Sequence, residues 1–161
     1  MIYIVRLSKG SDSWLKLGYT GKDHVTDRTN DYKKHFEGVE VVKVYDKQDV
    51  NTLKLERALH KLHKEDKLST GLDFGGKTEC YSWDMFPIFN NTITKTLDDY
   101  DFNVPEHYLK PWLKYCKVLN NLPDYKFEPV HLQFDKYRSS FESWLELQQG
   151  FAYYQHITKS L

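Results

Sequence analysis

The chain has 161 residues, of which 23 are Lys or Arg and 23 are Asp or Glu, so its formal net charge is zero. This balance argues against wholesale electrostatic attachment to nucleic acid or to a membrane surface, and any basic surface must therefore be local. A hydrophobic fraction of 40% and a charged fraction of 29% are typical of a globular protein, and the length suits one domain or a small domain with an appendage.

Cys80 and Cys116 are the only cysteines. Two cysteines cannot staple a domain of this size and lack the spacing of a zinc site, so we expect reduced thiols. The sequence has no apolar run of about 18 residues, the length that would predict a membrane helix. Residues 1–6 also lack the charged start and long apolar middle of a signal peptide. We therefore expect a protein of its host cell's cytoplasm, with no membrane partner.

The first two predicted elements are strands. Residues 1–7 are rich in β-branched and aromatic side chains, and residues 14–20 follow after a cluster of turn residues. On the second strand, Lys16 and Gly18 lie on one face and Tyr19 on the other, unless a bulge turns it round. Gly18 inside a strand indicates either such a bulge or a close approach of another group to the backbone.

A helix is predicted over residues 28–36, and the valine-rich residues 39–45 predict a third strand. Arg28, Tyr32 and His35 are one helical turn apart and therefore share one side of this helix.

The next helix begins near Asp49 or Asn51 and carries Glu56, His60 and His63 at positions i, i+4 and i+7. A carboxylate with imidazoles one turn away suits a metal ion or a proton-transfer site. The same pattern is also that of an ordinary amphipathic surface helix.

Residues 67–76 form a loop with three glycines, and residues 77–83 predict a short last strand. The order β, β, α, β, α, β predicts an α+β fold, with a small mixed or antiparallel sheet flanked by helices. We assign residues 1–84 to this domain.

Residues 85–161 predict a mainly α-helical C-terminal region, although residues 90–94 and 98–101 are polar and predict irregular structure. One helix is expected from Pro105 to residue 119, and another begins at Asp135 or Ser139. This half has neither zinc-finger spacing nor a basic helix. One interpretation of this region is a helical extension that packs on the sheet or on a second copy of the chain, as a homodimer.

Several of these residues together resemble a known family. Met1-Ile2-Tyr3, then Lys16-Leu17-Gly18, then a helical arginine and a helical glutamate resemble the GIY-YIG nuclease superfamily. The similarity is greatest to the phage and bacterial branch whose second motif reads Lys-Ile-Gly. That branch also has a Glu-x-x-x-His helix, matched by Glu56 and His60, and a closing Glu-aromatic strand, matched by Glu79. The resemblance covers roughly residues 1–84. Catalytic modules of this family are usually joined to a separate DNA-recognising part, so the resemblance implies that residues 85–161 select the target, as the alternative to a packing extension.

The resemblance implies a role for each matching residue. In the family, two motif tyrosines lie beside the scissile phosphate, an arginine steadies that phosphate, an aromatic residue one turn later assists, and a helical glutamate holds one divalent metal. These roles fall on Tyr3, Arg28, Tyr32 and Glu56. The second motif tyrosine is replaced by Lys16, which suits a phosphate or a developing negative charge. The asparagine that precedes the last strand has no match, so Glu79 or Lys77 is the candidate for its positioning role.

We therefore predict a metal-dependent endonuclease that hydrolyses DNA, encoded by a phage or mobile element, with Mg²⁺ or alternatively Mn²⁺ on Glu56. The predicted catalytic residues are Tyr3, Lys16, Arg28, Tyr32 and His60, with His35 as an alternative base. The predicted substrate-binding residues are Gly18, Tyr19, His35, Lys77 and Glu79. A phosphate-centred site does not read the sugar, so RNA stays open as a substrate. The alternative function is a catalytically inactive DNA- or protein-binding regulator on the same fold.

Overall fold

The computed structural model describes residues 1–21, 25–103 and 105–120. The chain divides into two units, Met1–Asn103 and Val104–Leu161. The described residues of the first unit form four strands and three helices: β1 (Ile2–Lys9), β2 (Asp12–Tyr19), α1 (Thr26–Tyr32), β3 (Gly38–Tyr45), α2 (Thr52–Leu62), β4 (Cys80–Ser82) and α3 (Phe86–Asp99). The second unit contains α4 (Leu109–Asn120).

The four strands form one sheet in the order β3-β1-β2-β4, and every neighbouring pair is antiparallel. The predicted α+β class and the order of the first six elements are confirmed, and the sheet is antiparallel rather than mixed. β1 and β2 are the two inner strands, and the near-continuous apolar residues at the start of β1 suit a strand that is covered on both faces of the sheet.

Both faces of the sheet are covered. On one face, alternate residues of β1 pack in an apolar cluster with the side chains that follow α1. On the other face, Tyr81 of β4 packs edge to face on Phe89 of α3, with ring centroids 4.9 Å apart. Ile2, Ile4, Leu15 and Leu17 are fully buried as well, and they alternate with the residues of the first face. The strands are therefore held between two layers.

Gly18 marks a close approach and not a bulge. The pairing of β1 with β2 runs without a break from Ile2 opposite Tyr19 to Lys9 opposite Asp12. A Cβ atom on Gly18 would lie 2.5 Å from both the ζ carbon and the hydroxyl oxygen of Tyr3. Of the two predicted explanations, the close approach is the one that the structure contains.

The ends of two elements differ from the prediction. Helix α1 ends at Tyr32, and the chain then turns, with the backbone N–H groups of His35 and Phe36 donating to the Tyr32 carbonyl at 2.9 and 3.0 Å. The last strand is also shorter than predicted, because Lys77–Glu79 forms a 3-10 turn. Helix α2 begins as predicted at one of its two candidate caps, since the Asn51 side chain accepts a hydrogen bond from the Leu53 N–H at 3.2 Å.

The irregular structure predicted for residues 90–94 and 98–101 was wrong over most of its length, because Phe86–Asp99 is a helix. Its polar residues do not break the helix. The Thr96 hydroxyl, for example, donates a hydrogen bond to the Thr92 carbonyl oxygen at 2.7 Å, so its hydrogen-bonding capacity is met within the helix. The Asn90 side chain accepts a hydrogen bond from the Tyr45 hydroxyl at 2.7 Å, which ties α3 to β3.

In the second unit, Pro105 precedes a 3-10 turn, and α4 follows with Pro111 in its first turn, where a missing N–H costs no intrahelical bond. The helix predicted to end at residue 119 is thus confirmed, and it starts at Leu109. The helix predicted from Asp135 or Ser139 lies outside the described residues. None of the helices in the described part of the chain is both long enough and apolar enough to cross a membrane.

Candidate functional site

A cavity of about 740 Å³ opens on the first unit. Nine of the eleven predicted site residues line it: Tyr3, Lys16, Tyr19, Arg28, Tyr32, His35, Glu56, His60 and Glu79. The strand register explains part of this gathering, because Tyr3 lies opposite Gly18 and Lys16 lies opposite Cys80, the residue after Glu79. The remaining two predicted residues do not line the cavity. Gly18 lies under the ring of Tyr3. The Nζ atom of Lys77 forms an ion pair with Oδ1 of Asp73 at 2.7 Å.

The two tyrosines form a hydroxyl pair at one side of the cavity. The hydroxyl oxygens of Tyr3 and Tyr32 are 3.0 Å apart, and both side chains are buried. Burial, together with the hydrogen bond to Tyr3, raises the pKa of Tyr32 far above the ordinary value for a phenol. Tyr32 is therefore a neutral phenol near pH 7, suited to positioning a water molecule by hydrogen bonding and unsuited to acting as a phenolate base.

Arg28 and His35 approach the same cavity from α1 and from the turn that follows it. Arg28 is exposed, so its guanidinium is free to move toward a ligand. The nearby guanidinium charge opposes the rise in the pKa of Tyr32, although burial outweighs it. The His35 ring is half-buried, with its centroid 6.1 Å from that of Phe74. The predicted helical spacing brings Arg28 and Tyr32 to the cavity, and the turn after α1, not the helix itself, brings His35 there.

Lys16 is buried and paired with Glu79. Its ammonium is 1% exposed, and it donates to the Glu79 carboxylate and, at 3.0 Å, to the Leu17 carbonyl oxygen. Gly76 makes room for this pair, because a Cβ atom there would lie 2.7 Å from the ε carbon of Lys16 and 3.0 Å from a carboxylate oxygen of Glu79. Its φ of +85° also favours glycine. Lys16 is therefore held beside a carboxylate and does not project freely into the cavity.

Glu56 and His60 form a buried chain with Tyr81. The Nε2 atom of His60 lies 3.0 Å from Oε1 of Glu56, and its Nδ1 atom lies 2.6 Å from the Tyr81 hydroxyl. Glu56 is 6% exposed and His60 is 9% exposed. Burial, with the neighbouring carboxylates, raises the pKa of Tyr81 well above its ordinary value, so this partner of His60 is a neutral phenol. Both nitrogens of the imidazole are thereby engaged.

The same part of the cavity offers a set of metal ligands. Glu56, His60 and Glu79 each present one ligand atom, and these atoms all lie within 4.8 Å of one another. Two carboxylates and one imidazole are a donor set that fits a divalent cation. Glu56 was the predicted metal ligand and Glu79 a predicted substrate-binding residue, but the sequence did not predict that both lie where they could hold the same ion.

No protein-family model matches this chain, and neither a curated protein nor a solved structure matches it. The resemblance to GIY-YIG nucleases therefore depends on the motifs quoted from the sequence, and it stays a prediction.

The cavity is locally basic, although the whole chain is neutral. Among the described residues, six basic side chains line it, namely Lys16, Arg28, Lys34, Arg57, Lys61 and Lys67, against three acidic ones, Asp31, Glu56 and Glu79. Four of the six basic side chains are exposed, whereas Glu56 is buried. The sequence analysis missed Arg57, Lys61 and Tyr81. The first two were detectable, because they follow Glu56 and His60 directly and so lie next to them on α2.

His63 belongs to a different environment. It lies one turn beyond His60 on the same helix face, yet it is buried outside the cavity lining, and its Nδ1 atom lies 2.8 Å from Oδ2 of Asp66. Its ring packs edge to face on Phe89 at 5.1 Å. The stripe of Glu56, His60 and His63 thus contributes two residues to the cavity and one to the packing between helices.

Proposed function

We propose that the protein is a metal-dependent endonuclease that hydrolyses DNA phosphodiester bonds, of the GIY-YIG type that its motifs resemble. The observation that carries the proposal is the gathering of Tyr3, Arg28 and Glu56, which are far apart in the sequence, around one open cavity. A phosphodiesterase site requires a phosphate-binding cation, a hydrogen bond to the attacking water and a carboxylate near the scissile bond. These three residues supply one of each.

The charge of the cavity supports a polyanionic substrate. Exposed cations such as Arg57 and Lys61 lie one turn apart on α2, beside the buried carboxylate of Glu56. Contacts between such cations and backbone phosphates supply most of the non-specific affinity for nucleic acid, whereas base contacts supply the sequence preference. A phosphate backbone at the mouth of the cavity would bring one phosphorus atom toward the buried groups.

The proposed roles follow from exposure and hydrogen bonding. Arg28 binds non-bridging phosphate oxygens through its planar guanidinium. The hydroxyl pair of Tyr3 and Tyr32 orients the attacking water, since one of the two phenols donates to the other and leaves an oxygen to accept. A divalent cation, Mg²⁺ or Mn²⁺, held by Glu56 would supply charge relief for the phosphate and the leaving oxygen. Tyr19 and His35 contact the substrate at the edge of the cavity.

A binding regulator without catalytic activity is the second candidate function, and one observation favours it. Lys16, which stands where the family has a tyrosine, is buried and already paired with Glu79. A lysine held in this way cannot reach a phosphate without breaking its ion pair. The site would then bind nucleic acid or a protein through its exposed cations without cleaving it.

The biological setting belongs to the same proposal. We propose a phage or mobile-element enzyme that acts in the host-cell cytoplasm, and the buried free thiol of Cys80 is compatible with a reducing compartment. Residues 85–161 would select the target, either directly or through a homodimer.

Plasmid nicking with the full-length chain tests the proposal. We expect cleavage in Mg²⁺ or Mn²⁺, no cleavage by Glu56→Gln, and a rate lower by about 10²–10³ for Arg28→Ala, as for the loss of one electrostatic donor. Lys33→Ala is the matched control, because Lys33 is an exposed cation at the end of α1 that does not line the cavity.

The two candidate functions give different results in this assay. Cleavage by Glu56→Gln at the rate of the wild-type protein would mean that the reaction does not depend on this cavity's carboxylate. Binding without cleavage in both metals would support the regulator. A parallel reaction with single-stranded and double-stranded RNA identifies the sugar that the site accepts.

A further inference from the structure

The imidazole of His60 is poorly arranged for a general base. A base needs a ring nitrogen with a lone pair open to water, but Nε2 faces Glu56 at 3.0 Å and Nδ1 faces the Tyr81 hydroxyl at 2.6 Å. The ring lies nearly parallel to that of Tyr81, with an interplanar angle of 11°, and is 9% exposed. A histidine that binds a metal uses one nitrogen for the ion and has the other fixed by a hydrogen bond, and the Tyr81 hydroxyl supplies such a bond to Nδ1 while Nε2 faces a candidate co-ligand, Glu56.

We propose that Glu56, His60 and Glu79 bind a divalent first-row transition-metal ion of the Mn²⁺ type, with Nε2 of His60 as a direct ligand. Tyr81 and Lys16 are the positioning residues of this site, the first for His60 and the second for Glu79. The proposal rests on the proposed function in that it names the metal which the candidate nuclease site takes.

The separation of the donor atoms fits a metal. Two ligands at right angles on an octahedral ion, each about 2.1 Å from it, are about 3.0 Å apart. Nε2 of His60 and Oε1 of Glu56 are 3.0 Å apart. An ion can therefore replace the hydrogen bond between them with little movement of either side chain. Nε2 then binds through its lone pair, and the proton is carried on Nδ1, which donates to the Tyr81 oxygen.

Glu79 completes the donor set from the other side of the cavity. Its carboxylate has two oxygens, and the bond to Lys16 engages Oε2. The ligand atoms of Glu56, His60 and Glu79 lie within 4.8 Å of one another, and the Glu79 side chain is 35% exposed and extends from a 3-10 turn, so it has room to move toward a shared ion. Lys16 holds the carboxylate at the cavity, and Gly76 leaves the space for both side chains.

The imidazole decides the class of metal. Mg²⁺ demands oxygen ligands and keeps most of its waters, so a buried imidazole nitrogen adds little for it. The affinity of a site with nitrogen and oxygen ligands rises along the divalent first-row metals from Mn²⁺ to Cu²⁺; imidazole suits the later members best, and the two carboxylates suit Mn²⁺. His60 should therefore raise the affinity for Mn²⁺ much more than the affinity for Mg²⁺.

Electron paramagnetic resonance of the full-length chain with Mn²⁺ alone, without nucleic acid, tests this inference. We expect stoichiometric binding and, in pulsed spectra, coupling to a directly bound nitrogen that changes when histidine is labelled with ¹⁵N. His60→Ala should lose this coupling and bind Mn²⁺ at least about tenfold more weakly, with a change below about threefold for Mg²⁺ measured by competition. Tyr81→Phe should keep the coupling while its Mn²⁺ affinity falls by about 10–100-fold.

His35→Ala is the matched control, because His35 lines the same cavity outside the three-residue cluster, and its Mn²⁺ affinity and nitrogen coupling should not change. The absence of nitrogen coupling in the wild-type protein, or its persistence in His60→Ala, overturns the inference. The ¹⁵N measurement on the wild-type protein keeps the test decisive even if His60→Ala does not fold.

The outcome is separable from that of the nicking assay. Nitrogen coupling in a protein that does not cleave nucleic acid supports the metal site and counts against the nuclease. Cleavage without nitrogen coupling supports the nuclease and removes His60 from the metal site.

Discussion

The ion pair between Lys16 and Glu79 should respond very differently to the loss of its two partners. Lys16 is 1% exposed and Glu79 is 35% exposed, so the pair has one fully buried member and one member in partial contact with water. Glu79→Gln leaves the ammonium of Lys16 buried without a counter-charge. Lys16→Met replaces that ammonium with an apolar side chain of similar length and leaves Glu79 able to bind water.

The magnitudes follow from this asymmetry. Removing one partner of a buried ion pair costs about 3–5 kcal/mol when the remaining charge is uncompensated, whereas replacing buried charge with apolar groups is often neutral. Lys16 keeps the Leu17 carbonyl oxygen at 3.0 Å, so we expect Glu79→Gln to cost about 3 kcal/mol, near the lower end of that range. For Lys16→Met we expect a change in the free energy of unfolding within about 1 kcal/mol, because the carboxylate of Glu79 that remains is partly exposed and can bind water.

Labelling of the Cys80 thiol at increasing urea concentration measures the stability of both variants. Cys80 is fully buried in β4 opposite Lys16, so it reacts when the first unit opens and does not report on the rest of the chain. The midpoint of labelling should fall markedly for Glu79→Gln and change little for Lys16→Met. Equal losses in the two variants, or a greater loss for Lys16→Met, would refute the assignment of Lys16 as the buried partner.

Two further predictions concern the same side of the sheet. Gly18→Ala should lower the free energy of unfolding by about 1–3 kcal/mol, because the new methyl group would overlap the Tyr3 ring, and the cost should nearly vanish in a Tyr3→Val background measured by urea denaturation. Burial raises the pKa of the Cys80 thiol from 9.0 to about 11, so the unfolded chain loses this proton first as the pH rises and stability should fall between about pH 9 and pH 11. Cys80→Ala should lose less stability than the wild-type protein between pH 8 and pH 10; an identical loss in both would contradict the assignment.

The fold of the first half could be predicted because its signals are local. Alternating residues in 14–20 and the spacing of Arg28, Tyr32 and His35 each specify a face within a few residues of sequence. Helix α3 was missed because its local signals indicate a different structure from the one that it forms. Its threonines and asparagines indicate a loop when read singly, and only the stripe of buried residues with the internal bond from Thr96 to Thr92 makes them helical.

The sequence predicted which residues belong to the site, but not which of their side chains form hydrogen bonds or ion pairs with each other. Residues were selected by type and by family resemblance, and most of them line one cavity. The partner of Lys16, by contrast, lies 63 positions away, and its approach depends on the left-handed backbone of Gly76. The bond between His60 and Tyr81 likewise joins a helix to the last strand. Such pairs depend on the register of β2 with β4, which no local pattern in the sequence specifies.

Glu56 is the residue on which the two candidate functions differ most. A carboxylate that is 6% exposed within a basic cavity lowers stability by its desolvation and repels the phosphate that the cations attract. A module that only binds nucleic acid would gain from an uncharged side chain at this position. A metal site reverses the argument, because the bound cation compensates the buried charge and converts repulsion of the phosphate into attraction. The buried pair of Glu56 and His60, surrounded by exposed cations, therefore supports the proposed metal-dependent site over the alternative proposal of a surface that binds phosphate alone.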